Sequence, residues 1–260
     1  TFPSNEPFTS GTVGTPGTLP TNWVNLTGDN LDWNVDNNGT NGTTILATGP
    51  YGDHTYNNTT ANGKYLYVES AGTGNTPSKV ATLESPCFSL TGLTSPYLTF
   101  WYHMRGSQMG SLAVDINNNG TVTQNHWSTS GDQGLYWKQG WLNLSAFVGQ
   151  ANIRIRFRAT TGTGQLSDIA IDDVFVGNLT PVFGCNEATA ANFSASVNVN
   201  NGTCDYSCGT GFKRVRIDIF HDSYQGETSW TLKNASTGAT LASGTKVVIV
   251  KVPAPADDGL

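Results

Sequence analysis

Ile153-Arg154-Ile155-Arg156-Phe157-Arg158 alternates an apolar residue with an arginine at every step. A period of two is the mark of a β-strand with one face buried and the other in water. The pattern repeats on both sides of this stretch. Downstream, Ile169-Ala170-Ile171-Asp172-Asp173-Val174-Phe175-Val176 reads as a strand. Upstream, so do Ser111-Leu112-Ala113-Val114-Asp115-Ile116, Tyr97-Leu98-Thr99-Phe100-Trp101-Tyr102-His103-Met104 and Tyr65-Leu66-Tyr67-Val68-Glu69. Turn-forming clusters separate them: Gly72-Thr73-Gly74-Asn75, Asn117-Asn118-Asn119-Gly120 and Thr161-Gly162-Thr163-Gly164. No window carries a helical period.

Composition agrees. Of 260 residues only 12% are charged, against about 25% in an average domain. Thirty glycines and eleven prolines, with abundant Asn and Thr, suit short strands joined by many turns. Seven Trp, nine Tyr and eleven Phe supply a core and exclude a disordered chain. Thirteen basic against nineteen acidic side chains give a net charge of -6, the wrong sign for a nucleic-acid partner. No apolar run reaches membrane-spanning length, so no membrane insertion is expected. Without a leader-like start, the chain reads as mature or as an excised segment, and its Pro-Ala-Pro-Ala end suggests a polypeptide that continues beyond Leu260. Strand number and spacing fit an all-β two-sheet jelly roll over residues 1–178.

The alternation stops near Asn178, and three regions follow from that. Residues 179–208 form a Cys-bounded linker almost devoid of core residues. A disulfide between Cys185 and Cys204 is the plain reading, and it implies an oxidising, extracellular setting. Cys208 is expected to pair beyond Leu260 or with nothing, and Cys87 to be a buried free thiol. Residues 209–260 form a second small β module, with strands at Arg214–Phe220, Ser229–Leu232 and Val247–Val250 and a turn at Lys233–Gly238.

The first region resembles the MAM domain, an extracellular jelly roll. The resemblance is carried, in order, by Asp32-Trp33, by Gly49-Pro50 with Asp53-His54-Thr55, and by Gly63-Lys64-Tyr65-Leu66-Tyr67-Val68-Glu69-Ser70. It continues through Leu83-Glu84-Ser85-Pro86, the Leu98–Met104 strand, Met109-Gly110-Ser111-Leu112, Trp127, Trp137 and Asp168–Val174. Two departures stand out. Only Cys87 lies within the region, where vertebrate members carry paired cysteines, which implies a bacterial-type member. Phe8-Thr9 stands where the family shows Phe-Glu. The linker, through Gly184-Cys185 and Asn201-Gly202-Thr203-Cys204, is similar to a repeat of secreted proteins from marine Bacteroidetes, and Glu227–Leu232 looks like a β module of the same proteins.

For catalysis the residues offer little. There is no Gly-x-Ser-x-Gly elbow, His-Glu-x-x-His helix or phosphate loop among the four histidines and the carboxylates. Adjacent Asp172 and Asp173 should point to opposite sheet faces and so cannot flank one glycosidic bond. For a metal, Asp53, Asp172 and Asp173 are hard oxygen ligands suited to a structural Ca²⁺, or else caps of turns. The resemblance implies a cation near such carboxylates that ties the first and last strands together. For a ligand, Arg154, Arg156 and Arg158 stand about 6.6 to 7 Å apart on one strand face. That spacing suits sulfates or carboxylates of an acidic polysaccharide, although charge on an outward face is also what any strand shows. Trp127 and Trp137, near a Gly-rich loop, offer a sugar-stacking platform or a core cluster.

The expectation is a non-catalytic extracellular recognition or adhesion module, part of a larger secreted or cell-surface protein, with a glycan or a cell-surface protein as partner. The alternative is a carbohydrate-binding module of a polysaccharide-degrading enzyme, or an accessory domain of a secreted protease. The two are separated by whether the arginines and the Trp127–Trp141 region share one open surface.

Overall fold

A computed structural model describes residues 3–15, 17–37, 48–50, 52–55, 63–187, 190–205, 212–217, 229–234, 237–244 and 248–253. The chain divides into two compact units, Thr1–Pro181 and Val182–Leu260. No helix among the described residues is long and apolar enough to cross a membrane.

The first unit contains β1 (Ser4–Glu6), β2 (Val24–Asn25), β3 (Asn34–Asp36), β4 (Tyr65–Val68), β5 (Val80–Glu84) and β6 (Pro96–Met104). These are followed by β7 (Ser111–Asn118), β8 (Thr121–Ser130), β9 (Lys138–Asn143), β10 (Ile153–Thr160) and β11 (Ile169–Asn178). Six of them form one sheet, ordered β3-β4-β11-β6-β9 with β1 also on β11; five form the other, ordered β2-β5-β10-β7-β8. Every pairing in the two sheets is antiparallel. The result is the jelly-roll β-sandwich that the alternation predicts.

The core lies between the sheets. Leu98, Phe100, Tyr102 and Met104 of β6 and Ile169, Ile171, Val174 and Val176 of β11 face Leu112, Val114 and Ile116 of β7 and Ile153, Ile155 and Phe157 of β10. Phe100 and Phe157 meet edge to face with ring centroids 5.0 Å apart. This zipper explains the strict alternation, since burial on one side admits polar groups only on the other. Gly140 is required where β9 crosses the Phe100 ring, which occupies the space that a Cβ would need.

Six strands of this unit, β1, β2, β3, β5, β8 and β9, fall outside those expected from the sequence, and the last two show why. β8 is a polar strand at the edge of its sheet, exposed along most of its length, so neither face enforces a pattern. β9 is short and interrupted by Gly140. Trp127 and Trp141 therefore sit on strands, not around a loop. A second difference is Cys87, which is exposed. Phe88 turns into the core, and its preceding neighbour accordingly faces outward beside Asn152.

The second unit contains β12 (Phe183–Gly184), β13 (Val199–Asn200), β14 (Phe212–Ile217), β15 (Trp230–Lys233), β16 (Thr240–Gly244) and β17 (Val248–Pro253). They pair as β12-β13, β14-β17 and β15-β16. Cys185 and Cys204 form the disulfide, with Cα atoms 4.7 Å apart. Cys208 lies outside the described residues.

Candidate recognition faces and a buried aspartate cluster

The three arginines are held by carboxylates. Glu84 of β5 lies directly across from Arg156 of β10, and Arg156 Nε donates to Glu84 Oε2 at 2.6 Å. Asp115 of β7 flanks the same arginine on the other side. Its carboxylate reaches diagonally to Arg158, accepting from Nε at 2.7 Å and from an Nη at 3.1 Å. Arg154 donates to the Ser85 carbonyl at 3.1 Å and stands 3.6 Å from Glu84. Guanidinium groups clamped in this way are a laced sheet surface, with little charge left for a sulfate.

Trp127 and Trp137 do not come together. Trp127 packs edge-on against Phe100 and Tyr102, on the core side of the sandwich. Trp137 packs with Tyr65, Tyr67 and Ala170 on the outer side of the six-stranded sheet, and its Nε1 donates to the Gly52 carbonyl. The arginines, on the outer face of the other sheet, are separated from Trp137 by the whole core.

Asp53, Asp172 and Asp173 do converge, and by a route that strict alternation hides. The β6–β11 register slips between Asp172 and Phe175, and Asp173 takes a φ of 45°. This β-bulge turns both carboxylates toward one loop. Asp172 Oδ2 accepts the His54 backbone N–H at 3.0 Å, while Asp173 Oδ2 lies 2.7 Å from His54 Nδ1 and accepts the Thr55 hydroxyl at 2.6 Å. The opposite-face expectation fails here. Asp53 is drawn in beside Gly63, where a Cβ would fall 2.6 Å from the Asp53 Cβ.

Asp172 is fully buried and Asp53 nearly so. Burial, then the Asp173 and Asp53 charges, push the Asp172 carboxyl up to about 10. The carboxylates are hard oxygens of the kind Ca²⁺ takes, but among the described residues no three His, Cys, Asp or Glu side chains are placed to hold a metal ion together. The Thr9 and Gly11 carbonyls are engaged by Lys64 Nζ at 2.7 and 2.6 Å. The first and last strands of this unit are already tied by the β1–β11 ladder.

The fold also makes a His–Asp pair that sequence reading leaves out. His54 stacks on Trp101 with centroids 3.7 Å apart. Thr55, however, donates to Asp173 and not to the imidazole, so the nucleophile-to-base bond of an activated hydroxyl is not formed. His103 is buried with Nε2 3.1 Å from the Leu135 carbonyl, and burial lowers its pKa to about 4, leaving it neutral. His126 meets the Thr123 hydroxyl at 2.7 Å.

Sequence reading also misses an acidic cleft lined by Thr15, Leu31, Asp32, Asn34, Glu69 and Asn75. Burial, then the Asp168 charge, push the Glu69 carboxyl up to about 7, with Asp36 adding to the shift and Tyr67 close by. A carboxyl whose folded pKa is raised above its unfolded value leaves the native state holding more protons. Stability should therefore fall as pH rises from about 4.5 to about 7. Glu69→Gln removes this contribution. In thermal melts from pH 4.5 to 8 the variant should lose less stability than the wild type, and parallel curves would count against the assignment.

Residues 17–180 match the family model "MAM domain, meprin/A5/mu". Neuropilin-1 of Rattus norvegicus is 30% identical over 173 residues, which is 65% of this chain and 18% of that protein. MAM domain-containing glycosylphosphatidylinositol anchor protein 1 of Gallus gallus is 34% identical over 151 residues, 56% of this chain and 15% of the relative. The chain thus spans under a fifth of the length of these relatives. Among solved structures, the K1 cleaved adhesin domain of Lys-gingipain from Porphyromonas gingivalis W83 superposes with a TM-score of 0.47 at 18% identity, over 69% of this chain and all of that domain. With a sandwich in which β1 and β11 pair and the family model matching most of the chain, this protein belongs to the MAM domain family.

Proposed function

We propose that the chain is a non-catalytic recognition or adhesion module of a larger secreted or cell-surface protein, whose partner is an extracellular glycan or a cell-surface protein. The observation that carries this reading is the MAM match over residues 17–180, in a segment that corresponds to only a small part of each long relative. The Cys185–Cys204 disulfide supports an oxidising compartment. Beads coated with the chain should adhere to cells or to extracellular matrix above uncoated controls. Bare-bead levels on every surface would refute the reading.

The same proposal takes the first region as a bacterial-type member, and the linker and terminal module as similar to those of secreted proteins from marine Bacteroidetes. One structural Ca²⁺ held through Asp53, Asp172 and Asp173 belongs to the same proposal. In these residues it would add positive charge beside three neighbouring carboxylates. Its role is to fix the Asp53–Thr55 turn against β11.

The ion-paired arginines argue against an acidic ligand on their face. Arg154, the most exposed of them at 39%, is the one that can be removed with least structural damage. Arg154→Ala is expected to leave retention on a sulfated-polysaccharide column at physiological salt within about twofold of wild type, because phosphate- or sulfate-like contacts need an unpaired guanidinium. Loss of a strong wild-type retention in the variant would restore the acidic-glycan reading.

A further inference from the structure

The cleft lined by Thr15, Leu31, Asp32, Asn34, Glu69 and Asn75 has a volume of about 200 Å³. Pockets that take drug-sized ligands run from about 300 to 1,000 Å³, so this one suits a single side chain or a small amine. Its lining is held by the fold. Thr15 follows Gly14, whose N–H meets the Val35 carbonyl of β3 at 3.1 Å, and Leu31 donates its N–H to the Val80 carbonyl at 3.0 Å. Asn34 begins β3, and Glu69 directly follows β4. Asn75 closes the next turn, with its N–H on the Gly72 carbonyl and its own carbonyl accepting the Thr161 hydroxyl at 2.7 Å. Gly72 is required there, because a Cβ would run into the Asn75 amide.

The polar groups of the cleft are turned so that acceptors remain. Asn34 is only 8% exposed. Its Nδ2 donates to the Asp32 carbonyl at 3.2 Å, and its Oδ1 has no hydrogen bond among the described residues. The Asn75 Nδ2 is likewise engaged by the Glu69 carbonyl at 2.9 Å, which leaves its Oδ1. The exposed Asp32 carboxylate forms no ion pair among the described residues. A nearly buried amide oxygen without a protein partner calls for a donor brought from outside. Among the described residues no three His, Cys, Asp or Glu side chains are placed to hold a metal ion, so an organic donor fits the lining better than a metal.

We propose that this cleft seats the ammonium group of a lysine side chain from a partner protein. The inference rests on the protein-partner side of the recognition reading above and gives that partner a chemistry. An ammonium carries three donors and no acceptor, which matches the Asp32 carboxylate and the two amide oxygens. The apolar stem of the lysine lies along Leu31. Glu69 strengthens the site as pH rises. Burial and the Asp168 charge push its carboxyl up to about 7, and Asp36 of β3 and Tyr67 of β4 also face it. Loss of its proton adds a second carboxylate to the lining while the lysine stays charged, so binding tightens from about pH 5.5 to about pH 8.

The test titrates the full 260-residue chain, isotope-labelled, with N-acetyl-lysine methylamide and reads amide NMR shifts at residues 31–34 and 69–75. The norleucine analogue, which has an apolar side chain without the charge, and the arginine analogue run alongside. The lysine compound should shift these resonances saturably, the norleucine compound should leave them in place, and the arginine compound should bind less tightly. Asp32→Asn should weaken lysine binding about threefold, within the range of an exposed ion pair. Asp32→Lys should abolish it with Tm unchanged, and Glu69→Gln should remove the rise with pH. Equal shifts with norleucine, tighter binding of the arginine compound, or no shift in the cleft with lysine would overturn the site. Adhesion of coated beads with no lysine response would overturn this site alone, whereas bare-bead levels of adhesion would overturn the recognition reading.

Discussion

Asp115→Ala should destabilise the first unit by about 3 kcal/mol, at the lower end of the cost of removing one partner of a buried ion pair. Asp115 has only 3% of its side chain exposed. Its carboxylate does two things at once. It takes a two-pronged bond from Arg158, and its Oδ1 accepts the Asn125 backbone N–H at 2.8 Å. That N–H belongs to a bulge where the β7–β8 register slips and Asn125 has a φ of 59°. Deleting the carboxylate leaves the Arg158 guanidinium, 23% exposed, without its strongest acceptor. It also frees a backbone donor at an already irregular edge. Partial exposure of Arg158 lets water soften the loss, which is why the lower figure applies. In a unit of this size about 3 kcal/mol corresponds to a fall in Tm of roughly 6–12 °C. Arg158→Ala added to Asp115→Ala should cost less than the sum of the two single changes, by about 1–3 kcal/mol of coupling. Additive losses, or a single-variant loss below about 1 kcal/mol, would show that the arginine side of this sheet is not held by its acids.

Calcium should raise the Tm of the wild-type chain. An ion that binds only the folded state at a hundred times its Kd contributes about 2.7 kcal/mol, and at a thousand times about 4.1 kcal/mol. For this unit that is a rise on the order of 10 °C. The reason is the packing together of Asp53, Asp172 and Asp173 on one side of the bulge, two of them at 2% exposure or less. Asp172→Asn removes a ligand charge while keeping the shape, so it should abolish the calcium response. In chelator the same variant should melt somewhat lower than wild type, because the Asn amide can accept only one of the two backbone N–H groups, of His54 and Asp173, that the Asp172 carboxyl accepts. A wild-type Tm indifferent to both calcium and chelator would eliminate the ion and leave the aspartates as anchors of the Asp53–Thr55 turn.

Ile153–Arg158 was legible in the sequence because β10 has one side against apolar neighbours and one toward polar surroundings, and so prints its burial as a period of two. Ser111–Ile116 and Tyr97–Met104 are buried along most of their length, and read as strands from short, largely apolar runs. β8 was illegible because it is an edge strand of mostly exposed polar residues, on which Trp127 packs against the core without imposing a pattern on its neighbours. The disulfide was legible because Cys185 and Cys204 bracket a segment with little else to hold it.

The sites follow another rule. The sequence by itself determined that Arg154, Arg156 and Arg158 face outward together. Only the tertiary structure decided that Glu84 and Asp115, distant in the chain, arrive on neighbouring strands and pair with Arg156 and Arg158. It alone put Trp127 and Trp137 on opposite sides of one sheet. It alone turned Asp173 back toward His54 through a bulge. Alternation is a local property, recorded residue by residue along each strand. Register and bulges are set by pairing between strands far apart in sequence, and which charges cancel and which aromatics meet depends on that pairing.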